Sequence, residues 1–213
     1  VAPIISDILS AASSAVADIT ASATSDVEAT ATPVSRFRRT GTLASQDQIN
    51  AACADAGNLL LSPTLSIQTD NTTEGWFISS DFDPSIILSS VSTANGTIAR
   101  FSTAFAGEVA QLTQPLTLCP GTEYTIRGLN RQDDTRSGCT VQYRVGPNAV
   151  FTAKPLTSWT EESATFTAGS GIEGASQDLT LVLSCAGRGG APVGANLAGY
   201  MVGEVGAVSV TAA

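Results

Sequence analysis

From Trp76 onward the chain is written in short runs whose apolar residues recur at every second position. In "EYTIRGLNR" (123–131), Tyr124, Ile126 and Gly128 share one face, and Thr125, Arg127, Leu129 and Arg131 share the other. In "TVQYRVG" (140–146), Val141, Tyr143 and Val145 oppose Thr140, Gln142 and Arg144. "DLTLVLSC" (178–185) aligns Leu179, Leu181, Leu183 and Cys185. Apolar residues on one side and polar residues on the other mark a sheet with one buried face. Further strands are predicted at 75–79, 85–92, 99–106, 109–118, 164–169 and 203–210, with Gly and Pro between them. Nothing after residue 50 keeps a helical period. The pattern predicts an all-β fold, an antiparallel sandwich.

Before this block the texture differs. Residues 1–45 are rich in Ala, Ser and Thr, and Ile5, Ile8, Leu9, Ala12, Val16 and Ile19 form a weak helical stripe. The expected organisation is therefore an extension or propeptide over 1–45 and a sandwich domain over 53–213. "RFRR" (36–39) reads either as a processing site or as an exposed basic turn. The chain opens at Val1, and the numbering is expected to start after a removed signal peptide.

Four cysteines lie far apart, at 53, 119, 139 and 185, and the chain has no histidine. Two disulfides in an oxidising compartment fit better than a zinc site drawn from four segments. If 123–131 and 140–146 pair as a hairpin, Cys139 faces Leu129 or Asn130, which leaves Cys119 beyond disulfide reach. Setting 178–185 antiparallel to 139–145 instead brings Cys185 to Cys139. Elimination then joins Cys53 to Cys119, one of three connectivities open to four cysteines. Sequons at Asn71 and Asn95 add to the expectation of a secreted glycoprotein, extracellular or in a cell wall.

Charge narrows the partners. Charged residues are 14% of the 213, and ten basic residues stand against nineteen acids, for a net charge of −9. Nucleic acid and anionic membrane surfaces are poor partners for such a chain, and no apolar run is long enough to span a bilayer. Without histidine, a Ser-His-Asp triad and a His-based metal site are excluded. Asp133–Asp134, Glu161–Glu162 and Asp81/Asp83 are the carboxylate pairs available for acid–base work, but adjacent strand residues point to opposite faces. Lys154, the single lysine, sits before a proline. No cofactor or metal is expected.

"NLLLSP" (58–63), Trp76, "LTLCPGTEYTI" (116–126), "GCTVQYRVG" (138–146), Trp159, "LTLVLSC" (179–185) and "EVGAVSV" (204–210) come in an order that resembles fungal secreted proteins with a carbohydrate-binding-module-like domain. That domain is a galactose-binding-like, CenC-type jelly roll, and the likeness covers about 57–213. It implies a jelly-roll β-sandwich and a glycan or cell-wall component as ligand, without catalysis. Many relatives hold a structural calcium with an acid in the opening run and an Asp pair on the closing strand. Here the run is "SPTLS" and only Glu204 stands near the closing strand.

The candidate ligand residues are Trp76, the polar strip Arg127, Arg131, Gln142 and Arg144, and, around the glycine-rich stretch 185–200, Arg188 and Tyr200. Aromatic faces stack on pyranose rings, and planar polar groups meet hydroxyls. Tyr124 and Tyr143 fall on apolar faces and are expected in the core. The rival reading is an enzyme with an apolar pocket under 186–200 that orients a small hydrophobic substrate for pericyclic, hetero-Diels–Alder-like chemistry. A third reading is a structural or adhesive wall protein.

Overall fold

The computed structural model describes residues 43–55, 57–60, 63–65, 67–68, 75–78, 86–93, 96–135, 137–187 and 196–213. The expected helical stripe over 5–19, the basic pair at 38–39, both sequons, Asp81, Asp83 and Arg188 lie outside the described residues.

Two sheets pack face to face as a jelly-roll sandwich. Sheet A orders its strands β1 (Ile67–Gln68), β2 (Trp76–Ile78), β5 (Val109–Thr117), β10 (Ser176–Cys185), β7 (Cys139–Val145) and β8 (Asn148–Ala153). Sheet B orders β3 (Ile87–Thr93), β4 (Gly96–Phe105), β11 (Asn196–Ala212), β6 (Glu123–Gln132) and β9 (Thr160–Thr167). All described pairings are antiparallel except β1 with β2. The alternation in the sequence reappears as alternation in burial: β7 reads buried, half-buried, buried along its whole length. Trp76, Leu112, Tyr143, Leu181 and Leu183 from sheet A meet Phe101, Tyr124, Ile126, Val205 and Val210 from sheet B in one core.

Strands β6 and β7 do not form a hairpin. They belong to opposite sheets, and residues 133–138 cross between them. The crossing is fixed by local bonds: the Cys139 amide donates to Gln132 Oε1 (3.0 Å), and Asp133 Oδ1 accepts from Ser137 Oγ (2.8 Å) and the Val202 amide (3.2 Å). Strand β7 pairs instead with β10, in a register that sets Cys185 opposite Cys139. The disulfides are Cys139–Cys185 and Cys53–Cys119.

A helix stands where none was expected. α1 (Gln46–Ala54) begins with a capping box: Ser45 Oγ accepts from the Gln48 amide, and Gln48 Oε1 accepts from the Ser45 amide. It buries Ile49 and Ala52, and Cys53 ties it to the sandwich. Strand β8 and the short helix α2 (Gly171–Ala175) also went unforeseen.

The sheets are pinned together through Tyr143. Its ring stacks on Phe151 at 4.4 Å between centroids, and its hydroxyl crosses to sheet B and donates to Asn130 Oδ1 (2.8 Å). Gly128 on β6 lies beneath that ring, and a Cβ there would overlap the phenol. Burial pushes the Tyr143 phenol well above the usual tyrosine range; the Asn130 bond opposes this, and the nearby Glu162 charge adds to it.

Candidate functional site

The outward residues of a sandwich are those left over when alternate positions enter the core. On sheet A they form two rows, one across five strands and one across four. Register aligns Phe77, Thr113, Thr180, Arg144 and Ala149 in one row. It aligns Gln111, Val182, Gln142 and Thr152 in the next. Thr113, Thr180, Gln111, Gln142 and Arg144 are half-buried. The rows are internally bonded: Thr113 Oγ1 and Thr180 Oγ1 lie 3.2 Å apart, Gln142 Nε2 reaches Thr152 Oγ1 at 3.5 Å, and Arg144 Nη2 donates to the Pro147 carbonyl at 2.8 Å. Amides and hydroxyls dominate, and Arg144 is the one charged side chain in these two rows.

Sheet B presents a different outward face. Register aligns Arg100, Glu204 and Arg131 on the adjacent strands β4, β11 and β6. Glu204 is buried, and both arginines converge on it. Arg100 donates from Nε (2.9 Å) and Nη2 (2.6 Å) to Oε1, and Arg131 donates from Nε (2.7 Å) to Oε2 and pairs with it through Nη2. The Arg131 guanidinium lies 5.0 Å from the centre of the Trp159 ring. A Cβ at Gly206 would meet Trp159 and Leu129 at 3.3 Å, so the indole packs on the strand beside the triad. Further along, Arg127 pairs with exposed Glu161 at 3.3 Å.

No family model matches the chain, and no curated protein matches it. Solved structures similar to it include carbohydrate-binding modules. TmCBM61, solved in complex with β-1,4-galactotriose, is 14% identical, with 73% of this chain and 99% of that chain covered and a TM-score of 0.48. A CBM4 module is 17% identical, with 75% and 100% covered and a TM-score of 0.46. The CBM22-1–GH10 modules of Clostridium thermocellum xylanase 10B, complexed with xylohexaose, are 14% identical, with 75% and 29% covered and a TM-score of 0.49.

The candidate residues scatter over this architecture. Trp76 is fully buried and belongs to the core, so it is no ligand platform: its strand is short and its outward neighbour is Phe77. The strip Arg127, Arg131, Gln142 and Arg144 is two half-strips on opposite sides of the molecule, because β6 and β7 lie in different sheets. Tyr200 is exposed on β11, near the register shift between Asn196 and Met201. Asp133 is a loop fastener, and Glu161 and Glu162 face opposite ways, the first towards solvent. Thr113, Thr180, Gln111 and Thr152 on sheet A, and Arg100, Glu204 and Trp159 on sheet B, were not singled out as ligand contacts. The alternation of "VAQLTQPLT" points Gln111 and Thr113 to one side, but only register puts them beside Gln142 and Arg144.

A cleft of about 410 Å³ opens between the edge strands β8 and β9, lined by Leu118, Val150 and Phe166 together with Thr165, Asn148 and Gln177. It lies at the Ser176 end of β10; residues 188–195, beneath which a pocket was expected, lie outside the described residues.

Proposed function

We propose that this protein binds a neutral glycan across the outward face of sheet A, as a secreted, disulfide-bonded binding protein without catalysis. One observation carries the reading: two adjacent rows in which amide, hydroxyl and guanidinium groups of β5, β10, β7 and β8 stand side by side, most of them half-buried and several held by hydrogen bonds. Such groups offer donors and acceptors in fixed directions, which is what hydroxyl-rich sugars require. Four strands span roughly 14 Å at ~4.8 Å spacing, the length of a short oligosaccharide. Phe77 supplies an apolar surface at one end of the row. The two disulfides support an oxidising compartment.

The test is isothermal titration of the full chain with neutral cell-wall oligosaccharides, repeated on Gln111→Ala/Gln142→Ala. Each lost hydrogen bond costs about 1 kcal/mol, so removing two amides should weaken binding by ~30-fold. An unchanged Kd in that variant would remove sheet A as the site.

A second reading has the β8–β9 cleft behind it. Its mixed apolar and polar lining suits a small hydrophobic molecule, held there for chemistry that needs orientation more than proton transfer. Product formation from a small diene–dienophile pair, lost on Phe166→Ala, would favour this reading over the first.

A further inference from the structure

We propose that the outward face of sheet B is a second, separate ligand site, which holds a single carboxylate of an acidic sugar residue between Arg100 and Arg131. That the bearer is a sugar rests on the glycan reading above; that the group is an anion rests on the arginines alone. The two arginines stand on the strands either side of β11, and buried Glu204 between them holds both guanidiniums in place. Each spends its Nε–Nη2 edge on one carboxylate oxygen of Glu204. Among the described residues Nη1 of each donates to nothing, and the two side chains are 45% and 35% exposed. Trp159 braces the second guanidinium from the side.

Two guanidiniums on the strands either side of β11 repel unless a negative group lies between them. Glu204 removes that repulsion and leaves the triad with one net positive charge. The donors are thus aligned before a ligand arrives, which limits the ordering cost of binding. The Nη1 donors left over are charged N–H groups, which make strong hydrogen bonds to a carboxylate. Were neutralising Glu204 the whole role, one arginine would suffice. The surrounding charge limits the ligand. A chain at −9 repels a densely charged polyanion, but a sugar chain with a carboxylate on each ring can present one of them to the pair. Sheet A offers mainly amides and hydroxyls beside the single guanidinium of Arg144, so the two faces differ in how many guanidinium donors they present.

The experiment is calorimetric titration of the full chain, at low salt, with α-1,4-trigalacturonate and with its carboxyl-reduced form. The expected result is at least tenfold tighter binding of the acid, with a preference that shrinks as salt rises and disappears in Arg100→Gln. A melting curve checks that this variant is folded. Arg100→Lys, which keeps the charge but cannot hold Glu204 and present a separate Nη1 donor at once, should retain only part of the preference. Equal binding of the two sugars, or a preference that survives Arg100→Gln, overturns the proposal. So does a preference abolished by Arg144→Gln instead, which would move the carboxylate to sheet A. Binding of trigalacturonate with no binding of any neutral glycan would sink the sheet A reading and leave this one standing.

Discussion

Gly128→Ala tests the contact that holds the two sheets together through Tyr143. The added Cβ would overlap Oη and Cζ of Tyr143 and come within 2.7 Å of Cε1. That ring is fully buried and stacked on Phe151 of the neighbouring strand, which limits its movement. Forcing it aside costs about 1–3 kcal/mol of overpacking, and disturbing the Tyr143–Asn130 hydrogen bond adds ~1 kcal/mol. Replacing a strand glycine returns about 0.5–1 kcal/mol of backbone entropy. The net expectation is a loss of about 1–3 kcal/mol. Tyr143→Phe removes Oη and strands the Asn130 acceptor, at a cost of about 1–2 kcal/mol by itself. In the double variant the hydroxyl no longer collides, though the ring still does. Its loss should fall short of the sum by ~1 kcal/mol. Urea unfolding followed by tryptophan fluorescence measures all three. A Gly128→Ala protein within ~0.5 kcal/mol of wild type, or strict additivity in the cycle, would refute the claim that Gly128 exists to seat Tyr143.

Raising the pH offers a further check on Tyr143. Its folded pKa lies above the unfolded value near 10, so above that pH the unfolded chain releases a proton that the folded chain retains, and stability falls. Melting temperatures between pH 9 and 11 should drop more steeply for wild type than for Tyr143→Phe. Cys139→Ala/Cys185→Ala removes a link 46 residues apart in sequence, and chain entropy puts the loss at roughly 4 kcal/mol, readable in a urea titration. Glu204→Gln should destabilise by about 1–3 kcal/mol, because two half-exposed arginines lose their shared partner; a melting point unchanged at low salt would contradict the triad's role. Trp76→Ala should cost ~3–5 kcal/mol as a core deletion, with denaturation rather than selective loss of ligand as the readout.

Most of the strands were legible because a half-buried strand must alternate, as the runs at 109–117, 123–132, 139–145 and 178–185 do. The Cys139–Cys185 partnership was legible for the same reason: both cysteines end runs whose inward faces match, and the register of β7 on β10 puts them opposite. Helix α1 left a readable trace in Ser45 and Gln48, a capping box overlooked because its nine residues carry little apolar period. Strand β8 left one in the Gly146–Pro147 turn that follows an alternating run. Arg188 and the sequons bear on residues outside those described.

The sequence by itself determined which side chains face inward, since period-two alternation is a property of each strand taken alone. It could not determine which strands share a sheet. Residues 123–131 and 140–146 look like a hairpin locally, yet the crossing at 133–138 sends them to opposite sheets, and that choice is made by the cores they fill together. Strand order then decides which outward residues become neighbours. Arg131 meets Glu204 and Arg100 rather than Gln142, and Gln142 meets Thr152 rather than Arg127. A surface site on a sandwich is made of lateral neighbours drawn from distant parts of the chain, and only tertiary packing brings them side by side.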